Sequence, residues 1–191
     1  WESFAHEQGF TIPDAYGTLR DREGYLWFAT MEGAARYDDD GLTIYSSEDG
    51  MPRGAWSMRH HADGDLWISH GSPDHGVTRL HGDTLTTYNE GDGLPGSHVY
   101  GTYEDAAGRL WVSTSEGAAR LSDGQWSIFG DDHGLPSEGC ATVLETGDGV
   151  LWFGSYYGLV RYDGSLVEVF GDEDGLPDAK ISALHEARDG S

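Results

Sequence analysis

Cys140 is the only cysteine in 191 residues, so no disulfide can close within the chain and the redox compartment leaves no mark on it. Lysine is as scarce: Lys180 stands alone, and the 11 basic residues face 34 acidic ones, for a formal net charge of −23. Charge of that sign repels the phosphates of nucleic acid and the headgroups of anionic membranes, which removes both from the expected partners. No apolar run approaches the roughly 20 residues that cross a bilayer as a helix, so no direct membrane insertion is expected of this segment. Helical spacing of apolar residues is also missing over any stretch long enough to make a helix. The sequence opens at Trp1 with neither an initiator methionine nor a signal peptide, from which an earlier segment lost to processing or truncation is expected.

What is abundant points to strands. Apolar residues make up 37% and aromatics 12%, enough for a packed core, and 29 glycines suit many tight turns. Leu-Trp recurs at Trp27, Trp67, Trp111 and Trp152, spaced by 40, 44 and 41 residues. A second marker, a glycine followed by an apolar residue, falls at Gly9, Gly50, Gly93, Gly134 and Gly175, and in the last four copies a proline follows. Two markers with one period define a repeat of about 40 to 45 residues, the size of a four-stranded propeller blade. Each period reads as a strand after the Gly-Leu-Pro turn, a second strand carrying Leu-Trp, a third containing Arg36, Arg79, Arg120 or Arg161, and an apolar fourth. The tryptophans are expected between neighbouring sheets, with a partner for each indole N–H. The arginines are expected to bridge the acidic turns while their stems lie on the sheet.

The expected fold is therefore all-β: a β-propeller segment of four four-stranded antiparallel blades, with partial strands at both ends. The fourth strand of a preceding blade occupies residues 1–8, blades occupy 9–49, 50–92, 93–133 and 134–174, and the first strand of a following blade occupies 175–191. A fourth and a first strand are not neighbours within a blade, so the ring is expected to be incomplete. It would be a fragment of a larger propeller or be completed by another chain, and open blade edges would favour self-association.

The run Gly134-Leu-Pro136, Gly149-Val-Leu-Trp152 and Gly158-Leu-Val-Arg-Tyr162 resembles the repeat of the two-component regulator propeller family. Thr11 in place of proline, and Ser69-His70 where the family tends to have Gly-Thr, depart from it. The resemblance implies the sensor part of a larger signalling protein, in a periplasmic or extracellular setting, that reads a small molecule such as a carbohydrate, or a protein partner. It also implies a rival, since similar blades build lyase-like enzymes; a histidine of the second blade would then be the base. A structural or assembly propeller without a small ligand is the third reading.

Sites are expected on the face that carries the Gly-Leu-Pro connections and the turns between second and third strands. The second blade lengthens that turn by three residues, bringing in His70, Asp74 and His75, with His98 across the next blade; converging imidazoles and a carboxylate would suit zinc. Acidic groups before the marker glycines (Glu48, Asp49, Glu90, Asp92, Asp131, Asp132, Asp172, Glu173 and Asp174) offer oxygen ligands for calcium, or merely a solvated surface. No cofactor is expected otherwise. Tyr156 and Tyr157 in the fourth blade suit a sugar or an organic cation, or pack on each other. Glu116, Glu32, Tyr100 and His133 complete the candidates on this face.

Overall fold

A computed structural model describes residues 15–72, 75–130, 135, 139–165, 167–176 and 180–187. Among these described residues sixteen strands form four sheets of four. The first sheet holds β1 (Ala15–Arg20), β2 (Leu26–Thr30), β3 (Gly33–Asp38) and β4 (Gly41–Tyr45). The second holds β5 (Ala55–His60), β6 (Leu66–His70), β7 (Val77–His81) and β8 (Thr84–Tyr88). In the third are β9 (Val99–Glu104), β10 (Leu110–Thr114), β11 (Gly117–Ser122) and β12 (Gln125–Phe129). The fourth contains β13 (Cys140–Glu145), β14 (Leu151–Ser155), β15 (Leu159–Tyr162) and β16 (Val167–Phe170). Every sheet is an antiparallel meander in chain order, as short alternating strands joined by tight turns require. First strands pack in succession, β1 on β5, β5 on β9 and β9 on β13, so they form the inner edge of a fan of blades.

Alternation along each strand gives every sheet two apolar faces, and three of the resulting interfaces are filled. Trp27, Ala29 and Ala34 of the first sheet meet Leu66, Ile68 and Leu80 of the second. Trp67 and Val77 meet Leu110, Val112 and Ala119. Trp111, Ala118 and Phe129 meet Leu151, Phe153 and Val160, with Trp111 edge-on to Phe129 at 4.7 Å. Trp152 occupies the same register on the last sheet but is only half-buried. It opens onto a cleft of about 710 Å³ shared with Leu144, Leu159 and Leu184. At the other end, Leu26 and Ile44 of the first sheet stay exposed on the face away from Trp27. Among the described residues the four sheets do not close a ring.

Indole N–H groups find partners where the sequence supplies one. Asp21 and Asp105, each the first residue of an Asp-x-x-Gly turn, accept from Trp27 Nε1 and Trp111 Nε1 at 2.8 Å. Each third-strand arginine lies directly across from its blade's tryptophan: Arg36, Arg79, Arg120 and Arg161. Three of them place the guanidinium 5.5 to 6.0 Å from the indole centroid. Arg36 also pairs with Asp38, Arg79 with Asp65, and Arg161 with Glu168.

The acidic turns have a mechanical duty. Asp49, Asp92 and Asp174 close 3-10 turns by accepting the backbone N–H of Ser46, Asn89 and Gly171, each at 2.9 Å. Each turn then ends in a left-handed glycine, Gly50, Gly93 or Gly175. Asp131 and Asp132 fall outside the described residues, as do Trp1–Phe4 and Gly9.

Residues 180–187 carry no strand. The segment nevertheless takes an inner-strand position: Ile181 N–H donates to Ser155 O at 2.8 Å and presses on Gly154, where any Cβ would lie 2.7 Å from Ile181 Cγ2. No helix among the described residues is long and apolar enough to cross a membrane.

Candidate functional site

All four inner strands share one irregularity, a one-residue bulge near the start. Pairing skips from Ala15 to Gly17, from Ala55 to Ser57, from Val99 to Gly101 and from Cys140 to Thr142. The extra residues are Tyr16, Trp56, Tyr100 and Ala141, each eleven positions before the tryptophan of its blade. A bulged residue is released from the ladder and its side chain is re-aimed. Here the release happens at the inner edge of the fan, on the face that carries the Gly-Leu-Pro connections, and three of the four residues are aromatic.

These rings are not core. Tyr16 is 42% and Trp56 53% exposed, and the two stack with centroids 5.3 Å apart and planes 12° from parallel. Gly71 lies under the indole, where a Cβ would come within 3.3 Å of it. In the third and fourth blades His98, Tyr100 and Tyr156 form a second cluster, with His98 4.9 Å from Tyr100 and Tyr156 edge-on to Tyr100 at 6.0 Å. Where the fourth blade has Ala141 at the bulge, Tyr156 reaches in from the adjoining turn instead. It can do so because Gly139, at φ 85°, has no Cβ to occupy the space of the ring; one would lie 2.5 Å from Tyr156 Cδ2. Lys180 Nζ sits 4.9 Å from the centroid of the same ring. Burial, reinforced by a hydrogen bond with Tyr156, pushes the Tyr100 hydroxyl up to about 12, so it remains a neutral donor. Beneath these rings an axial cleft of about 250 Å³ runs between the inner strands, lined by Ser57, Arg59, Tyr100, Thr102, Thr142 and Ser182.

The other expected residues are placed as follows. His70 is the last residue of β6 and is fully buried; its Nε2 bonds Thr78 Oγ1 at 2.8 Å, which continues to Thr87 Oγ1 at 2.9 Å. Burial, with a smaller push from His75, takes its pKa down to about 4, so the ring is neutral near pH 7 and turned into the sheet. His75 lies edge-on to it at 6.3 Å, with Nδ1 3.0 Å from Arg53 O. Asp74 and His133 fall outside the described residues. Among the described residues no three His, Cys, Asp or Glu side chains converge in a way that would hold a metal. Tyr157 is 56% exposed in the turn of Tyr156, and Glu116 is exposed in the equivalent turn of the third blade. Glu32, exposed like Glu116, pairs with Arg53. Cys140 is buried and its thiol is pushed up to about 12, which leaves no thiolate for nucleophilic chemistry. The structure thus joins His98, Tyr100 and Tyr156, joins His70 to His75, and adds Tyr16 and Trp56, which composition and turn length did not single out.

Residues 93–116 of the third blade match the model of the two component regulator propeller family. No curated protein matches the chain. Among solved structures it resembles the extracellular domain of BT3049, a proposed hybrid two component system of B. thetaiotaomicron, at 19% identity and a TM-score of 0.72, over 91% of this chain and 24% of that one. Virginiamycin B lyase from Staphylococcus aureus is similar at 18% identity and a TM-score of 0.72, over 94% of this chain and 62% of the lyase. PorZ of Porphyromonas gingivalis, a surface component of the type-IX secretion system, follows at 15% identity and a TM-score of 0.63, over 90% and 29%. At these identities the likeness is one of fold, and the chain spans from about a quarter to under two thirds of these proteins.

Proposed function

We propose that this chain is the ligand-reading portion of an extracytoplasmic sensor propeller. Its ligand is a neutral saccharide laid across Tyr16 and Trp56 on one side of the inner edge and Tyr100 and Tyr156 on the other. The single observation that carries the reading is the stacked, half-exposed Tyr16–Trp56 pair, built from bulged residues at the inner edge of the blades. Rings that served only packing would be covered, as Trp27, Trp67 and Trp111 are. Flat aromatic faces receive the C–H faces of a sugar ring, while the Tyr100 hydroxyl and His98 offer hydrogen bonds to its hydroxyls. Exposed Glu32 and Glu116, in a chain of net charge −23, favour an uncharged ligand over an anion. The repeat family and the likeness to an extracellular two-component domain support a sensing role, with output supplied elsewhere in a larger protein.

The test is a thermal-shift screen against neutral gluco-, xylo- and galacto-oligosaccharides. A ligand at about one hundred times its Kd adds roughly 2.7 kcal/mol, or about 5–10 °C in Tm for a chain of this size. Trp56→Ala is expected to weaken binding about tenfold or more, as truncation of a central aromatic anchor does, with little change in the unliganded melting temperature. A saccharide that binds Trp56→Ala as well as it binds the parent, or one that is consumed rather than bound, would overturn the proposal.

A further inference from the structure

Two carboxylates recur at the turns on the opposite face of the blades. The first residue of the turn accepts the indole N–H, as Asp21 and Asp105 do. The last residue of the inner strand, or its counterpart in the 180–187 segment, latches onto the turn of the preceding blade: Glu104 accepts from Ala62 N–H at 2.8 Å, Glu145 from Ala106 N–H, and Glu186 from Gly147 N–H at 2.9 Å. The first blade has Arg20 before its aspartate and the fourth has Thr146 after its glutamate, so each carries one of the two, whereas the second blade carries neither. His60 stands where the latch glutamate belongs and His61 where the turn aspartate belongs.

The consequence is a set of buried groups without partners. Trp67 is 3% exposed and its Nε1 has no acceptor among the described residues; His61 is 4% exposed and its Nε2 is likewise unpartnered. A buried donor left so costs stability unless something fills the gap. Both residues line a cleft of about 330 Å³ between the second and third sheets. Arg79, Arg109 and Tyr88 line it too. Each arginine is tied through Nε to its own carboxylate, Asp65 or Asp105. What the cleft lacks is an acceptor where the first and third blades carry Asp21 and Asp105.

We propose that this cleft binds a small monocarboxylate, whose oxygens take the place of the missing aspartate side chain. The carboxylate accepts from Trp67 Nε1 and from His61 Nε2–H, and the Arg79 and Arg109 guanidinium groups supply the charge. Asp63 and Asp123, which also line the cleft, select against doubly charged anions such as sulfate. The site lies on the opposite face from the aromatic surface and stands independently of the saccharide reading.

The experiment is an NMR titration of the ¹⁵N-labelled full chain with acetate and propionate, against chloride and sulfate at matched ionic strength. The Trp67 indole resonance is identified by its loss in Trp67→Phe. It is expected to move downfield and saturably with either carboxylate and to ignore sulfate. His61→Asp fills the gap from within, so the response disappears and Tm rises without ligand; if that variant folds poorly, His61→Asn supplies a neutral acceptor for the same purpose. An indole resonance that stays still up to 50 mM carboxylate, that moves equally with chloride or sulfate, or that responds unchanged in the folded His61 variant overturns the proposal.

Discussion

Replacing Asp105 by alanine should cost this protein more than a single turn residue ordinarily does. Asp105 is 3% exposed and accepts from Trp111 Nε1 at 2.8 Å, from Arg109 Nε at 2.6 Å, and from the backbone N–H of Ala107 and Arg109 at 3.1 and 2.9 Å. Stripping the acceptor from a fully buried indole costs about 1–3 kcal/mol. Arg109 is about one-third exposed, so its ion pair adds only about 0–1 kcal/mol after solvent screening. The freed N–H groups belong to the exposed Ala107 and the half-buried Arg109 and add about 1 kcal/mol. The expected total is about 3 kcal/mol, or roughly 6–12 °C in Tm for a chain of this size. Burial raises the carboxyl pKa, but the bonds from Trp111 and Arg109 outweigh it and hold the group below its ordinary range. The contribution is therefore present above the unfolded value of about 3.9 and is lost as pH falls through the lower folded value. Urea melts at pH 7 should show a lower midpoint at unchanged slope, with the gap between variant and parent closing below about pH 4. A loss under about 0.5 kcal/mol, or the same loss in a Trp111→Phe background, would refute the reasoning.

His70 should make the protein sensitive to mild acid. Its folded pKa of about 4 lies below the usual 6.5, so protonation favours the unfolded chain: stability falls from about pH 6.5 and levels off near pH 4, by about 3 kcal/mol in all. Urea midpoints across that range should flatten in His70→Gln, and an unchanged slope would show that the ring does not sense the buried site. Gly139→Ala should displace the Tyr156 ring, since the new Cβ would lie 2.5 Å from it, and should cost about 1 kcal/mol for the left-handed backbone. With the Tyr156 bond gone, Tyr100 should titrate lower in a tyrosinate absorbance scan, whereas a scan identical to the parent would contradict the assigned packing.

The blades were legible in the sequence because the repeat writes the same physics four times. The Leu-Trp register, the arginine opposite it and the turn glycines all follow from period and alternation. The demand of each indole for a partner was legible too, although its answer by Asp21 and Asp105 shows only once the turn folds back on the ring. The site was less visible. Tyr16 and Trp56 sit eleven residues before their tryptophans, a spacing present in the sequence, but a bulge is a property of pairing between two strands and leaves no mark on one strand's alternation. His70 reads as part of a lengthened turn, yet the strand runs one residue further and its ring turns inward to Thr78. Trp152 shares the pattern of the other three and is only half-buried, since a residue's burial depends on the sheet laid against it. The acidic residues before the marker glycines read as either ligands or solvated surface; Asp49, Asp92 and Asp174 are caps.

Hydrogen–deuterium exchange with and without a saturating neutral oligosaccharide tests the central claim most directly, because it reports which end of the blades the ligand covers. Protection is expected at residues 54–57, 98–101, 139–142 and 154–158, the bulged inner strands and adjoining turns. Protection confined to the opposite turns at 61–65, 105–109 and 146–149 would contradict the account.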